Sequence, residues 1–479
     1  MPIRSSKIKL TKLKSGEVHR GPICVTAGDS PVQILSDAQE PATIDAGDGP
    51  GIVICDRGEV RICNLRIIGT GREHNQACGI RIEASAERQY HNILVDRLDV
   101  SGFGEHGLLI HSTAGNSGFK NISVTNVVSH HNGRSGITIG TDAYPATPHE
   151  DVYVGRCAAY WNPGIPGQKT HTGSGIAIDG FRRGTIEYCE AYENGALCDA
   201  TESGGPVGIW AYNCDRALLQ FNRSHHNHSN NQADGGGFDL DGGTTNSVMR
   251  YNVSWENDGY GFQLWDFFWG EFRNNRVHHN VSLMDCQRWR NFGAFVIFGR
   301  VINGELYDNV AYLSADSPAV EIERWDGTGL RFSENVYLGI GNSQPFSITE
   351  SPGVGFESRG EIFCRETGTL DPEIPNILRA ADFRDVYRHA RQGSGSNAQW
   401  SSRAPPAGTK AHRRPESASG APVEDDLDDV GGEIAQANKP REIGGAHSRL
   451  ASAAKVTGSP STSIVLNRRT LISSLLVVG

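Results

Sequence analysis

The sequence predicts an all-β chain, a parallel β-solenoid of about eleven coils over residues 22–350. Three observations carry this. A unit of glycine, apolar, any, apolar recurs along the chain at steps of 24 to 39 residues. Between successive copies lies a second short strand that ends in asparagine. Period-2 alternation with Gly and Asn punctuation fits strands, not helical repeats or propeller blades.

The glycine unit reads GIVI at Gly51, GIRI at Gly79, GLLI at Gly107, GITI at Gly136, GIAI at Gly175, GIWA at Gly208, GFDL at Gly237, GFQL at Gly261 and GAFV at Gly293. Weaker copies start at Ala319 and Phe346. One coil cannot bury its apolar face alone, so coils stack ~4.8 Å apart with like residues above like. The asparagine segments include VYVGRCAAYWNP, TIEYCEAYENG and QFNRSHHNH. In five of them a Cys or Asn precedes the final Asn by five: Cys157/Asn162, Cys189/Asn194, Asn222/Asn227, Asn252/Asn257 and Asn275/Asn280. An Asn repeated at one turn can bond its amide to the next coil and satisfy buried backbone groups. Asn222, Asn227, Asn252 and Asn280 also fall in N-x-S sequons. Burial in a ladder would exclude a glycan there.

These glycine units and asparagine positions resemble the right-handed parallel β-helix repeat proteins of the pectin-lyase-like superfamily, over roughly residues 40–350. That fold hosts lyases, hydrolases, epimerases and adhesins. The resemblance implies an extracellular or cell-surface protein, although residues 1–20 hold no run long enough for a signal peptide. Residues 1–21 read as an N-terminal segment, with a further piece expected upstream. Residues 351–391 read as a cap with an amphipathic helix at 371–391, and 392–479 as a disordered, low-complexity tail.

The net charge of −10 argues against nucleic acid, and no segment reads as a membrane span. Ten cysteines show no CxxC or zinc spacing, and Cys55, Cys63, Cys157 and Cys189 read as buried thiols.

With the coils aligned on glycine, positions +1 and +3 face the core, and +2 and +4 face out. The outward stripe reads Asp179, Trp210, Tyr212, Asp239, Asp241, Gln263, Trp265, and the Gly293 copy adds Phe295 and Ile297. Acids alternating with aromatics suit an exposed sugar-binding groove: flat rings for pyranose faces, carboxylates for hydroxyls or acid–base work. A solvated face with loop-covered aromatics is the plainer alternative. Long segments in the same coils (163–174, 195–207, 228–236 and 285–292) should wall the stripe. They bring Lys169, His171, Asp199, Glu202, Asp234, Arg288 and Arg290 to its rim.

Asp239 and Asp241 stand about 6.5–7 Å apart on one strand. Such a pair, with Asp234 near, would hold a cation such as Ca²⁺ or a proton unequally. Two chemistries compete. In a lyase, Ca²⁺ would acidify a uronate α-proton, with Lys169 or His171 as base. The stretch ADGGGFDLDGG looks like the Asp-rich coils of one pectate lyase family, which uses a lysine on a neighbouring coil. Lys120 and Lys169 are the only lysines in the solenoid, and neither lies on the Asp coil. In a hydrolase, Asp179, Asp239 and Asp241 would share acid and base roles. Trp210, Tyr212, Gln263, Trp265 and Arg290 would bind substrate. A non-catalytic, glycan-binding or adhesin-like solenoid is the third reading. The expected partner is a polysaccharide, met by a monomer.

A second ladder lies two residues before the final Asn: His130, Tyr160, Tyr192, His225, Trp255, His278. Stacking alone explains it. The histidine pairs 130/131, 225/226 and 278/279 should point to opposite faces, as adjacent strand residues do.

Overall fold

The computed structural model describes residues 9–366, apart from 37–39, 203, 232 and 268–269. All its regular structure is β. Three parallel sheets run the length of a solenoid. The first carries the glycine-unit strands, twelve in number, from Ile23–Val25 to Phe346–Thr349. The second and third carry the asparagine segments, from Lys9–Leu13 and Val18–Arg20 to Glu357–Arg359 and Ile362–Glu366. Every pairing joins a strand to its counterpart one coil away. Pairing therefore extends past both expected boundaries of the solenoid, 22 and 350, and makes twelve turns rather than eleven. The helix expected at 371–391 and the tail at 392–479 lie outside the described residues. Among the described residues no helix is long and apolar enough to cross a membrane.

The core is a column of aliphatic and aromatic side chains from the +1 and +3 positions. Ile176, Ile178, Ile209, Phe238, Leu240, Phe262 and Leu264 are all buried, and Phe238 stacks on Phe262, which stacks on Phe295. That last contact corrects one register. Phe295 pairs with Phe262 and Val296 with Gln263, so the unit in this coil starts at Ala294, not Gly293. Phe295 and Ile297 face the core, and Val296 and Phe298 face out.

Two asparagine ladders hold the bends. One runs Asn132, Asn162, Asn194, Asn227, Asn257, Asp285. The other runs from the Cys189 N–H through Asn222, Asn252, Asn280, Asn309 and Asn335 to Glu361. Each Asn Oδ1 accepts from the coil before it, and each Nδ2 donates to the coil after it. The four sequon asparagines Asn222, Asn227, Asn252 and Asn280 are buried in these ladders. The five-residue rule misassigned one pair. Asn280 stacks on Asn252, so its partner five residues on is Asp285, and Asn275 instead accepts from the Ser247 N–H.

Residues just before the ladder positions take left-handed backbone angles, among them His131, Trp161, Glu193, His226 and Glu256 (φ 50–55°). Side chains rarely pay this strain willingly, at ~1 kcal/mol or more each. The ladder bonds on the following residue offset it. The same bend swings the second histidine of each pair back beside the first. The Nδ1 atoms lie 2.6 Å apart in His130/His131, 2.9 Å in His225/His226 and 2.8 Å in His278/His279. The pairs thus do not point apart: each shares an N–H···N bond.

The outer aromatic ladder stacks His130, Tyr160, Tyr192, His225 and Trp255 at 3.9–5.0 Å with near-parallel planes. His278 belongs elsewhere. It sits in the second sheet, in register with Arg250 and Tyr307.

Asp285 puts a carboxylate where the rest of its ladder has an amide. It is buried, and desolvation pushes its pKa up to about 6 despite donors from Ser282 and Asn257. A carboxyl favoured in its protonated form destabilises the fold once ionised. The loss sets in as pH rises above the ordinary carboxylate range and is complete above about 6. Asp285→Asn should therefore raise the unfolding midpoint at pH 8 and change it little at pH 4, as read by thermal melts.

Candidate active site

The first sheet places Asp179, Tyr212 and Asp241 in one outward column, and Trp210, Asp239 and Gln263 in the other. Alternation along each strand does this, because the +2 and +4 side chains leave the core. The stripe is not an open groove. Asp179, Trp210, Asp239 and Gln263 are each no more than 5% exposed. Two sets of loops bury them.

On one side the long segments stack as the strands do. Leu197 N–H bonds to Pro163 O, Glu202 N–H to Lys169 O and Asn230 N–H to Cys198 O. Segment 284–293 continues this wall, with Trp289 and Phe292 packed in a cluster with Trp210, Tyr260 and Val296. On the other side, segment 142–148 brings Tyr144 against Tyr212. The rings stack at 5.8 Å, and the Tyr144 hydroxyl donates to Tyr212 Oη at 2.8 Å.

The glycines around the aspartates have separate causes. A Cβ on Gly236 would stand 2.2 Å from the Tyr260 ring. One on Gly237 would stand 2.2 Å from Ser254 Oγ and 2.8 Å from Gly261 O. Gly235 takes φ +70°, which turns the chain into the strand. The result is a tight bend that carries Asp234 back toward the strand it precedes. Tyr260 ties this together: its hydroxyl donates to Asp234 Oδ1 (3.0 Å) and lies 3.5 Å from Asp239 Oδ2.

The three carboxylates do not share one environment. Asp234 accepts from Tyr260 and from the Gly205 N–H, and burial raises its pKa only to about 6. Desolvation, then the charge of Asp241, pushes Asp239 well above the usual range. Desolvation also pushes Asp241 well up, against one donor, the Gly242 N–H at 2.7 Å. Asp179 stands apart, bonded by the Thr141 N–H at 3.0 Å, and burial raises it to about 7. Further along the +2 column Glu321 is raised to about 8, first by burial and then by Glu323.

Several buried polar atoms at this site have no hydrogen-bond partner: Asp239 Oδ1, Gln263 Oε1, Trp210 Nε1 and Trp289 Nε1. Two acceptors and two donors are thus left over where the loops meet the stripe.

Other expected residues play different parts. Lys169 is exposed and paired to Glu202 at 2.9 Å. The His171 ring packs edge-on to Trp210 at 5.4 Å, and burial, then the Arg134 charge, lowers its pKa to about 4. Arg290 donates to Ala315 O at 2.7 Å instead of facing the stripe. Trp265 stacks on Phe298 at 3.8 Å, so one face is covered. Among the described residues no group of three or more His, Cys, Asp or Glu is arranged to hold a metal ion. Asp234 and Asp239 both face the Tyr260 hydroxyl, and with Asp241 they are the carboxyls that the expected Ca²⁺ would meet. Sequence reading missed Tyr144, Tyr260 and Trp289. They come from loops, where no repeat marks them.

The sequence model of the right handed beta helix region matches residues 118–314. The described residues fold as a parallel β-helix of the kind that model represents. Its solved neighbours include a lacto-N-biosidase of glycoside hydrolase family GH136 from Eubacterium ramulus. That structure aligns with a TM-score of 0.52 and 15% identity over 75% of this chain and 63% of that one. The A-module of the mannuronan C-5 epimerase AlgE4 from Azotobacter vinelandii aligns with a TM-score of 0.48 and 13% identity, over 72% of this chain and 89% of that module. In sequence, this β-helix is 26% identical over 166 residues to the lacto-N-biosidase of Bifidobacterium longum subsp. longum. The match takes in 33% of this chain and 9% of that enzyme.

Proposed function

We propose that the β-helix is a carbohydrate-active enzyme that hydrolyses a glycosidic bond in a neutral glycan at the Asp234/Asp239/Asp241 cluster. The observation that carries this is the unequal setting of three adjoining carboxyls. Asp234, bonded by two donors, is the one most readily ionised. Asp239 and Asp241 hold protons far longer. Glycoside hydrolysis needs one carboxylic acid to protonate the leaving oxygen and one carboxylate to act opposite it.

The electrostatics support a neutral substrate. Arginines and lysines around the site are committed: Lys169 to Glu202, Arg134 to Glu105, Arg288 to Ser229 O and Asn230, and Arg290 to Ala315 O. A uronate would meet carboxyls without a guanidinium to receive it. Hydroxyl groups, which donate and accept, match the unsatisfied Asp239, Gln263, Trp210 and Trp289 atoms. The likeness to lacto-N-biosidases points the same way. A polysaccharide lyase is the weaker reading: Lys169 is engaged with Glu202 at the surface. An extracellular or cell-surface location is part of the same proposal.

The test is a screen on neutral and uronate-containing oligosaccharides with two readouts, reducing ends and the ultraviolet absorbance of an unsaturated uronate. Reducing ends without new absorbance are expected, unchanged by Lys169→Ala and by chelator. New absorbance that Lys169→Ala removes would mean a lyase. Binding without cleavage would leave a glycan-binding solenoid.

A further inference from the structure

We propose a second sugar-binding subsite on the second sheet, at Tyr307, which takes one neutral pyranose ring of a glycan. It lies on a different face of the solenoid from the aspartate cluster. It does not depend on the hydrolase reading.

The argument starts from the register. The column Arg250, His278, Tyr307, Ser333, Arg359 runs up the outside of the second sheet. His278 and Tyr307 stack at 4.5 Å with planes 5° apart. The next rung, about 4.8 Å further on, is Ser333, which has no ring to offer. Tyr307 therefore keeps one aromatic face uncovered among the described residues. Arg359 follows only two rungs away.

The missing rung is a cavity of about 250 Å³, lined by Glu305, Tyr307, Arg331, Phe332, Ser333, Glu357 and Arg359. That is smaller than the ~300–1,000 Å³ of drug-sized pockets and suits a single ring. Its end wall toward the preceding coil is the flat ring of Tyr307. Along one edge the neighbouring column alternates Glu305, Arg331 and Glu357, with an ion pair between Arg331 and Glu305. A pyranose offers an apolar C–H face for Tyr307 and equatorial hydroxyls for this alternating edge. The edge carries paired charges of both signs, so it favours a neutral ring over an anionic or cationic one.

The test is calorimetry on the full chain with a panel of methyl pyranosides (glucoside, galactoside and N-acetylglucosaminide). It should be run in an Asp241→Asn background, so that loss of cleavage and loss of this subsite are read separately. Ser333→Tyr supplies the missing rung and should fill the cavity while extending the stack. Binding of at least one pyranoside is expected, weakened about tenfold or more by Ser333→Tyr and by Tyr307→Ala. Ser333→Tyr should keep the melting temperature, which separates a filled site from a misfolded one. Binding untouched by Ser333→Tyr would overturn the proposal. So would the absence of pyranoside binding to the parent.

Discussion

Asp239→Asn and Asp241→Asn should each lower the turnover of the glycan by about 10²–10⁴-fold, the range that general acid–base groups contribute. Asparagine keeps the shape and one acceptor but cannot deliver or take up a proton. The same substitutions should make the protein more stable at neutral pH. Both carboxyls are raised well above the usual range, first by burial and then, for Asp239, by the charge of Asp241. The folded state therefore binds protons that the unfolded chain has released. Stability falls with pH from the ordinary carboxylate range, near about 4, up to the raised values. The advantage of the Asn variants over the parent should grow across that window and vanish below it. Thermal melts at several pH values, beside reducing-end assays, check both halves. A variant that loses activity and stability together would mark the carboxyls as structural.

Asn227→Ala should be among the most damaging single changes in the chain. Asn227 Oδ1 accepts the side-chain amide of Asn194 at 3.0 Å and its backbone N–H at 3.4 Å. Its Nδ2 donates to Asn257 Oδ1 (2.9 Å), Ser224 Oγ and Ala191 O. Alanine would strand groups on both neighbouring coils, all buried. Each stranded group costs about 1–3 kcal/mol, so a loss of about 3 kcal/mol or more is expected. Urea unfolding measures it. In a solenoid each coil contacts only its neighbours. The break should appear as a second transition or a broadened one, with the two halves melting apart. Asn116, exposed on a surface turn, is the control, and alanine there should change little.

The glycine units were enough to determine the solenoid, because a core-facing period of two and a fixed coil length leave few other ways to bury those residues. They also determined which side chains leave the first sheet. Asp179, Trp210, Asp239 and Asp241 fall on one face because Ile178, Ile209, Phe238 and Leu240 must fall on the other. The local register at Gly293 was misread, since GAFV and AFVI both satisfy the pattern, and only the Phe262–Phe295 contact chooses between them. The Asn275/Asn280 pairing failed for the same reason: a five-residue offset occurs twice in that coil.

Tertiary structure alone decided the rest. Left-handed bends at His131, His226 and His279 are set by ladder bonds to other coils, so adjacent histidines meet instead of parting. The loops close over the stripe because their backbones pair coil to coil, a fact no loop composition carries. Burial follows from that closure, and with it the raised carboxyls, the neutral His171 and the engagement of Lys169 with Glu202. The side chains of the site were legible as an outward pattern. Their chemistry was not, because a carboxylate's proton affinity depends on what lies over it, and what lies over it here comes from Tyr144, Tyr260 and Trp289, on segments outside the repeat.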